Sequence, residues 1–361
     1  MTSLFDPLDL RGVRVRNRIW VPALCQYTID KRDGIPTDWH LVHLGSFARG
    51  GAGLIIAEAT GVTPEGRISP HDTGIWNAEQ ATAWRRVTDF VHTQGAVIGL
   101  QLAHAGRKAS VYPEWGPLSL KKGTIPESEG GWETVSASDI AFGSYAAPRA
   151  LTTEEIQDVV AAFAAGARRA IDAGFDLVEI HAAHGYLVHQ FLSPLSNVRT
   201  DSYGGSLENR ARFLLEIVAA ISGELGPSVP VLVRFSATDY AEGGWDEVQT
   251  ATVASWARDA GADLFDISTG GLVTGVTIPS NPGYQVPFAQ YVRSEARVPV
   301  NAVGRITTPQ QAAEIVESGQ ADAVMLGREM MRDPHFVLRA ATELGVDIDY
   351  WPPQYLRARL S

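Results

Sequence analysis

Eight short apolar segments recur along the chain, and no other feature restricts its fold as strongly. They are Ile19-Trp20-Val21-Pro22, Gly53 to Ala57, Ala96 to Leu100, Leu177 to Ile180, Val229 to Arg234, Ala262 to Ile267, Val298 to Val303 and Ala321 to Leu326. Each has the length of a strand and the apolar density of one buried on both faces, as in a parallel sheet. Segments with helical period separate them, clearest at Asn77 to Thr93, Thr152 to Ala173, Leu207 to Leu225, Asp246 to Ala260 and Pro309 to Ser318. Thr152-Thr153-Glu154-Glu155 opens one helix with a capping hydroxyl and early acids, Thr307-Thr308-Pro309 opens another, and Gly174, Gly261 and Gly319 end helices just before the next strand. Eight strand–helix units point to an α/β fold, a (β/α)8 TIM barrel forming one domain over residues 1–361; a doubly wound open sheet is the runner-up. Leu8 to Val15, turning at Gly12, reads as a hairpin that plugs one end.

One interval breaks the rhythm. From Lys108 to Arg149 there are prolines, glycines, Trp115 and Trp132 but little sustained period. A segment that long inside a compact domain is usually a lid or binding loop, and it is expected over the barrel mouth; a disordered insertion is the alternative.

A formal charge of −11 argues against phosphate-backbone binding as the main task, so nucleic acid is not expected as a partner. Any bound phosphate must meet local arginines. The start, Met1-Thr2-Ser3-Leu4-Phe5-Asp6-Pro7, lacks a basic segment followed by an apolar one, and no run approaches the roughly 18 apolar residues of a membrane span. A cytoplasmic protein away from membranes is expected. With Cys25 the sole cysteine, an intrachain disulfide, a four-cysteine zinc site and a cysteine-ligated iron–sulfur cluster are excluded.

The chemistry concentrates after the fourth strand, where the apolar run Leu177 to Ile180 stops at His181, His184 and Tyr186. In parallel sheets the residues that act on ligands sit just past the carboxyl ends of strands. The two imidazoles suit either of two roles. They can ligate a metal, as in a metal-dependent hydrolase or lyase, although only Asp176, Glu179 or His104 is available as a third ligand. Otherwise they can donate together to one carbonyl oxygen as negative charge builds on it, with Tyr186 as proton source. Strands seven and eight end in Val303-Gly304-Arg305 and Leu326-Gly327-Arg328, glycines that admit a ligand to the backbone followed by cations that neutralise it. In barrels these two loops are the frequent phosphate site, with Gly270-Gly271 after strand six beside them; surface salt bridging is the plainer reading of either arginine. No GxGxxG follows a strand, so a nicotinamide would bind transiently and a tightly held mononucleotide is favoured. For a flavin, Gln101 can meet the pyrimidine edge and Arg234 can offset charge on the reduced ring; each is equally suited to sealing the core. Pro22-Ala23-Leu24-Cys25-Gln26-Tyr27 sets a thiol and a phenol at the mouth.

These residues together resemble the Old Yellow Enzyme family of FMN-dependent ene-reductases, over the chain from about Leu4 to its carboxyl terminus. The likeness is closest to the bacterial branch of xenobiotic reductases and thermophilic-like enzymes, marked by Cys25 and by His181-Ala182-Ala183-His184-Gly185-Tyr186. Further matching stretches are Asn17-Arg18-Ile19, Gln101-Leu102-x-His104-x-Gly106-Arg107, Phe191-Leu192-Ser193-Pro194, Asn197-x-Arg199-x-Asp201-x-Tyr203-Gly204-Gly205-Ser206-x-x-Asn209-Arg210 and Gly327-Arg328. The resemblance implies a non-covalent FMN faced by Pro22, Ala23, Cys25, Ala59, Gln101 and Arg234, its phosphate held by Gly304, Arg305, Gly327 and Arg328. It implies that NADPH or NADH reduces the flavin and leaves. An α,β-unsaturated carbonyl or similar activated alkene then takes hydride at its β-carbon and a proton from Tyr186, its oxygen held by His181 and His184 and its position set by Tyr27. Where many relatives have methionine after the proline of the first motif, this chain has Ala23-Leu24. The tail over residues 350–361 is similar to one that enters a neighbouring subunit's active site with an arginine, here Arg357, so a homodimer or homotetramer is implied.

Overall fold

The computed structural model describes residues 2–359; the last two residues of the expected tail, 360 and 361, lie outside them. Eight parallel strands run β1 (Ile19–Trp20), β2 (Leu54–Gly61), β3 (Val97–Ala103), β4 (Leu177–Ala182), β5 (Val231–Ser236), β6 (Leu264–Ser268), β7 (Val300–Ala302) and β8 (Ala323–Met325). Their spatial order is β1-β8-β7-β6-β5-β4-β3-β2, and the ring closes where Val21 bridges to β2, its N–H donating to Leu54 O at 2.9 Å and its carbonyl accepting from Ile56 N at 2.9 Å. The barrel, rather than the open sheet, is therefore the fold.

Around it pack α1 (Asp38–Arg49), α2 (Ala78–Thr93), α3 (Thr153–Asp172), α4 (Leu187–Leu192), α5 (Leu207–Leu225), α6 (Glu247–Ala260), α7 (Val286–Ala296), α8 (Pro309–Glu317), α9 (Arg328–Arg332) and α10 (Phe336–Glu343). Asn77, Thr152, Asp246 and Thr308 start their helices as the sequence suggests, each side chain accepting the backbone N–H three residues on. The fourth strand differs from its expected span, for it continues through His181 and Ala182, which pair with Arg234 and Phe235 of β5.

The barrel interior is layered. At the amino-terminal end Leu10 and Val15, from the hairpin pairing Leu8–Leu10 with Val13–Val15, pack on Trp20, Ile56, Leu177, Leu232, Leu264 and Met325, so the hairpin is the expected plug. Side chains alternate along a strand, and one step further up the inward positions turn polar: Gln101, Glu179, Arg234, Asp266 and Asn301, all buried. Above this layer the loops begin.

The interval after β3 holds short 3-10 turns at Pro117–Leu120 and Glu127–Glu129 and a parallel pairing of Val135–Ser136 with Arg149–Ala150. It is an ordered covering stitched to the strand ends: Trp115 Nε1 donates to Gln26 O at 2.7 Å, Trp132 Nε1 to Glu65 O at 2.8 Å, and Arg107 Nη2 to Leu272 O at 2.7 Å. Among the described residues no helix is long and apolar enough to cross a membrane.

Candidate active site

At the carboxyl ends of β1, β6, β7 and β8 lies a cavity of about 370 Å³ bounded by Pro22, Leu24, His184, Arg234, Ser268, Gln285, Gly304, Arg305, Gly327 and Arg328. Gly304 is required by its backbone and surroundings, and Gly327 lies close against Leu24 and Pro22. Gly304 has φ +112°, and a Cβ there would stand 2.6 Å from Gln285 Oε1; a Cβ on Gly327 would meet Leu24 at 3.2 Å and Pro22 at 3.5 Å. Arg305 and Arg328 are exposed at the rim, and the Arg305 guanidinium donates to Ser280 O. A concave, glycine-floored pocket with two rim cations suits a phosphorylated ligand.

Beside it is a second group. Cys25, Tyr27 and Tyr186 pack against Ala59, Ala103, Ala105 and Val111, and the Tyr27 ring stands edge-on to Trp115 with centroids 5.0 Å apart. Burial pushes the Cys25 thiol well above its usual range, with Asp72 and Glu58 adding to the effect. The sulfur therefore stays protonated and is no nucleophile. Tyr27 and Tyr186 are likewise shifted upward by burial, so both phenols keep their protons.

The histidine pair joins the two groups. The His181 ring lies 5.2 Å from that of His184 and 4.9 Å from that of Tyr186, edge-on in both cases. Burial and the nearby Arg234 hold both imidazoles well below the ordinary histidine range, so both are neutral at neutral pH. A hydrogen bond assigns the tautomer of His181. Its Nδ1 accepts from Ala183 N at 3.3 Å, which leaves the proton on Nε2. The Gln285 amide donates to Ser268 Oγ at 3.1 Å, and the Ser268 hydroxyl stands 2.8 Å from His184 Nε2, a hydrogen bond that holds the His184 ring in place. Among the described residues no third histidine, cysteine, aspartate or glutamate joins the pair into a metal-holding group.

Beneath lies the polar layer. Gln101 Nε2 donates to Glu179 Oε1 at 2.7 Å, Arg234 Nε stands 2.8 Å from Asp266 Oδ2, and Asn301 Nδ2 donates to Asp266 Oδ1 at 2.7 Å. The guanidinium is close to its carboxylate but does not aim that N–H at it, since both atoms lack a hydrogen-bond partner.

The structure thus gathers Pro22, Ala23, Cys25, Tyr27, Ala59, Gln101, His181, His184, Tyr186, Arg234 and the two glycine–arginine pairs at one end of the barrel. It does not bring Arg357 to them. That residue is exposed on the turn Pro353–Ala358, and the same turn's Tyr355 packs beside Leu338 of α10. Sequence reasoning missed Lys108, whose Nζ donates to His184 O at 2.8 Å and Gly271 O at 3.0 Å and lies 5.0 Å above the Tyr186 ring. It also missed Ser268 and Gln285. Ser268-Thr269, at the end of strand six just before Gly270-Gly271, was the available signal.

Comparison with known proteins agrees with this geometry. Residues 3–346 match the model of the NADH:flavin oxidoreductase / NADH oxidase family. The chain is 46% identical to an NADPH dehydrogenase of Listeria innocua serovar 6a over 359 residues, covering 99% of each. Among solved structures it resembles the old yellow enzyme homologue of Zymomonas mobilis, 28% identical with a TM-score of 0.78 and all of both chains covered. It also resembles morphinone reductase in complex with tetrahydroNAD, 30% identical with a TM-score of 0.78, covering 98% of this chain and 94% of the other. The Old Yellow Enzyme likeness read from the motifs is borne out: the chain belongs to the NADH:flavin oxidoreductase / NADH oxidase family, FMN-dependent oxidoreductases that draw hydride from a reduced nicotinamide nucleotide.

Proposed function

We propose that the chain is an NADPH-consuming ene-reductase acting on α,β-unsaturated carbonyls or similarly activated alkenes. One observation carries this reading: two neutral imidazoles stand edge-on to one another beside a protonated tyrosine, and one of them, His184, lines the glycine-floored cavity. The curated relatives are named NADPH dehydrogenases, which favours NADPH over NADH.

The residues present fit FMN. Gly304, Arg305, Gly327 and Arg328 would hold the phosphate, while Pro22, Ala23, Cys25, Ala59, Gln101 and Arg234 would face the ring. Bound there, FMN would supply the two-electron hydride chemistry that links the nucleotide to the alkene. The N–H groups of His181 and His184 donate to the substrate carbonyl oxygen, drawing charge toward it and leaving the β-carbon electron-poor. Being neutral, they give hydrogen bonds without surrendering a proton. Tyr186 delivers its phenolic proton to the α-carbon, completing addition across the double bond. Tyr27 and the covering segment 108–149 set the pocket's shape and exclude water. Nucleotide and alkene share one site, so ping-pong kinetics are expected. We further read residues 1–361 as one FMN-binding domain in the cytoplasm, assembled as a homodimer or homotetramer in which Arg357 serves a neighbouring copy.

The test separates the half-reactions. Tyr186→Phe slows reoxidation of the reduced enzyme by an enone about 100-fold or more in stopped flow while reduction by NADPH stays near normal. Equal loss in both halves would remove Tyr186 as proton donor.

A further inference from the structure

The layer under the cavity holds three buried ionisable groups: Arg234, which also reaches the cavity wall, and the fully buried Asp266 and Glu179. One cation cannot balance two carboxylates. Each carboxylate accepts one amide hydrogen bond, Asp266 from Asn301 at 2.7 Å and Glu179 from Gln101 at 2.7 Å, and each keeps one buried oxygen without a hydrogen-bond partner, but Asp266 has the Arg234 guanidinium at 2.8 Å, whereas Glu179 joins no ion pair among the described residues. A sealed carboxylate with one neutral donor is unfavourable, so the proton of the layer belongs on Glu179. The facing groups agree. Gln101 on β3 and Asn301 on β7 are uncharged, Arg234 on β5 and Asp266 on β6 act in opposite senses, and His181, next inward on the same strand, is neutral.

We propose that Glu179 is a positioning residue of the cofactor cradle: as a neutral acid it fixes the Gln101 amide toward the cofactor edge and leaves Arg234 with Asp266 as the only charge pair beneath it. This rests on the flavin reading of the site. Burial, with Asp266 assisting and Arg234 opposing, lifts the Glu179 carboxyl from 4.5 to about 8. Above that pH it ionises and a negative charge appears under the cradle, disfavouring added electrons.

Two readouts other than turnover test it. The first is the midpoint potential of bound FMN in holoenzyme and in Glu179→Gln, whose side chain keeps the acceptor for Gln101 but cannot ionise. The two curves coincide at pH 6.5 and separate above pH 8, the wild type falling lower by about 30 mV, a tenfold change in a two-electron equilibrium. A constant offset at every pH would mean that Glu179 is ionised throughout, and superimposable curves at every pH would mean that the cofactor does not sense it; either overturns the proposal. The second is FMN affinity of the apoprotein. Glu179→Leu, which leaves Gln101 unheld, binds FMN about tenfold more weakly, while Glu179→Gln matches wild type; unchanged affinity in Glu179→Leu also overturns it. Should neither variant fold, a wild-type protonated-carboxyl infrared band that titrates near pH 8 upholds the neutral acid and its absence refutes it. An active preparation free of flavin would sink the site reading itself, which none of these outcomes does.

Discussion

His184 has φ +56°, the left-handed region, where a side chain other than glycine's is strained by about 1–3 kcal/mol. Three contacts hold it there: its N–H donates to Ser236 Oγ at 2.9 Å, Lys108 caps its carbonyl, and Ser268 holds its ring. In this conformation the ring stands edge-on to that of His181, with centroids 5.2 Å apart. Replacing His181 with alanine removes one donor to a developing oxyanion. Phenolic ligands, which mimic that charge, should bind roughly 10- to 100-fold more weakly, corresponding to about 1.5–3 kcal/mol for a hydrogen bond to a charged group. Unaltered affinity in a flavin absorbance titration would argue against a shared oxygen site. Lys108 adds a pH effect. Burial, with Arg107 nearby, lowers its ammonium from 10.5 to about 8, so the charge is present at pH 7 and disappears as pH rises through 8. Affinity for a phenolate, corrected for the ligand's own ionisation, should therefore fall above pH 8, and Lys108→Met should make that fall smaller.

At the scale of elements, the turn after β4 depends on the loop after β6. A Cβ on Gly271, at φ +93°, would lie 2.7 Å from His184 Cα, and one on Gly185, at φ +74°, would lie 2.3 Å from Gly271 O. Only two glycines allow these backbones to touch. Gly271→Ala should displace His184 and weaken phenol binding at least tenfold. Gly205→Ala, at φ +80° with open space around it, should cost only about 1 kcal/mol in thermal unfolding and leave binding intact. Below the turn, His189 Nδ1 accepts from Gly185 N at 3.0 Å and its Nε2 faces Asp239 Oδ1 at 3.0 Å, both side chains fully buried. Much of this architecture was legible in the sequence, because capping oxygens and helix-ending glycines are local signals. Helix α1 was not, since Trp39 and Val42 stand on its exposed face and blur the apolar period. Glu179 was legible only as a spare metal ligand, because the run Leu177 to Ile180 reads as uniformly buried and does not show which neighbour an inward acid meets. Gln285 reaches His184 through Ser268 from a loop whose path no pattern specifies.

Over the whole molecule, the barrel is unevenly knit, and the weak arc is where the cavity lies. β2 and β3 extend over eight and seven residues, and β4 pairs with β5 through five residue pairs. By contrast β1 has two residues and β7 and β8 three each, joined through two pairs at β7–β8 and two at β8–β1. Fewer ladder bonds mean a smaller free energy of local opening. Side chains compensate in part, since Arg18 Nη1 donates to Asp322 O at 2.7 Å across the β1–β8 seam. The residues proposed to hold the phosphate, Gly304 with Arg305 and Gly327 with Arg328, follow β7 and β8 directly, so a ligand gripping both loops would tie these two sparsely bonded strands together. FMN should then stabilise the fold by about 2.7 kcal/mol at a hundredfold excess over its dissociation constant. Hydrogen exchange should show that gain concentrated in Ile19–Trp20, Val300–Ala302 and Ala323–Met325, with β4 and β5 already protected in the apoprotein. Protection spread evenly around the ring would mean that the strands open as one unit and that the cofactor acts on global stability alone.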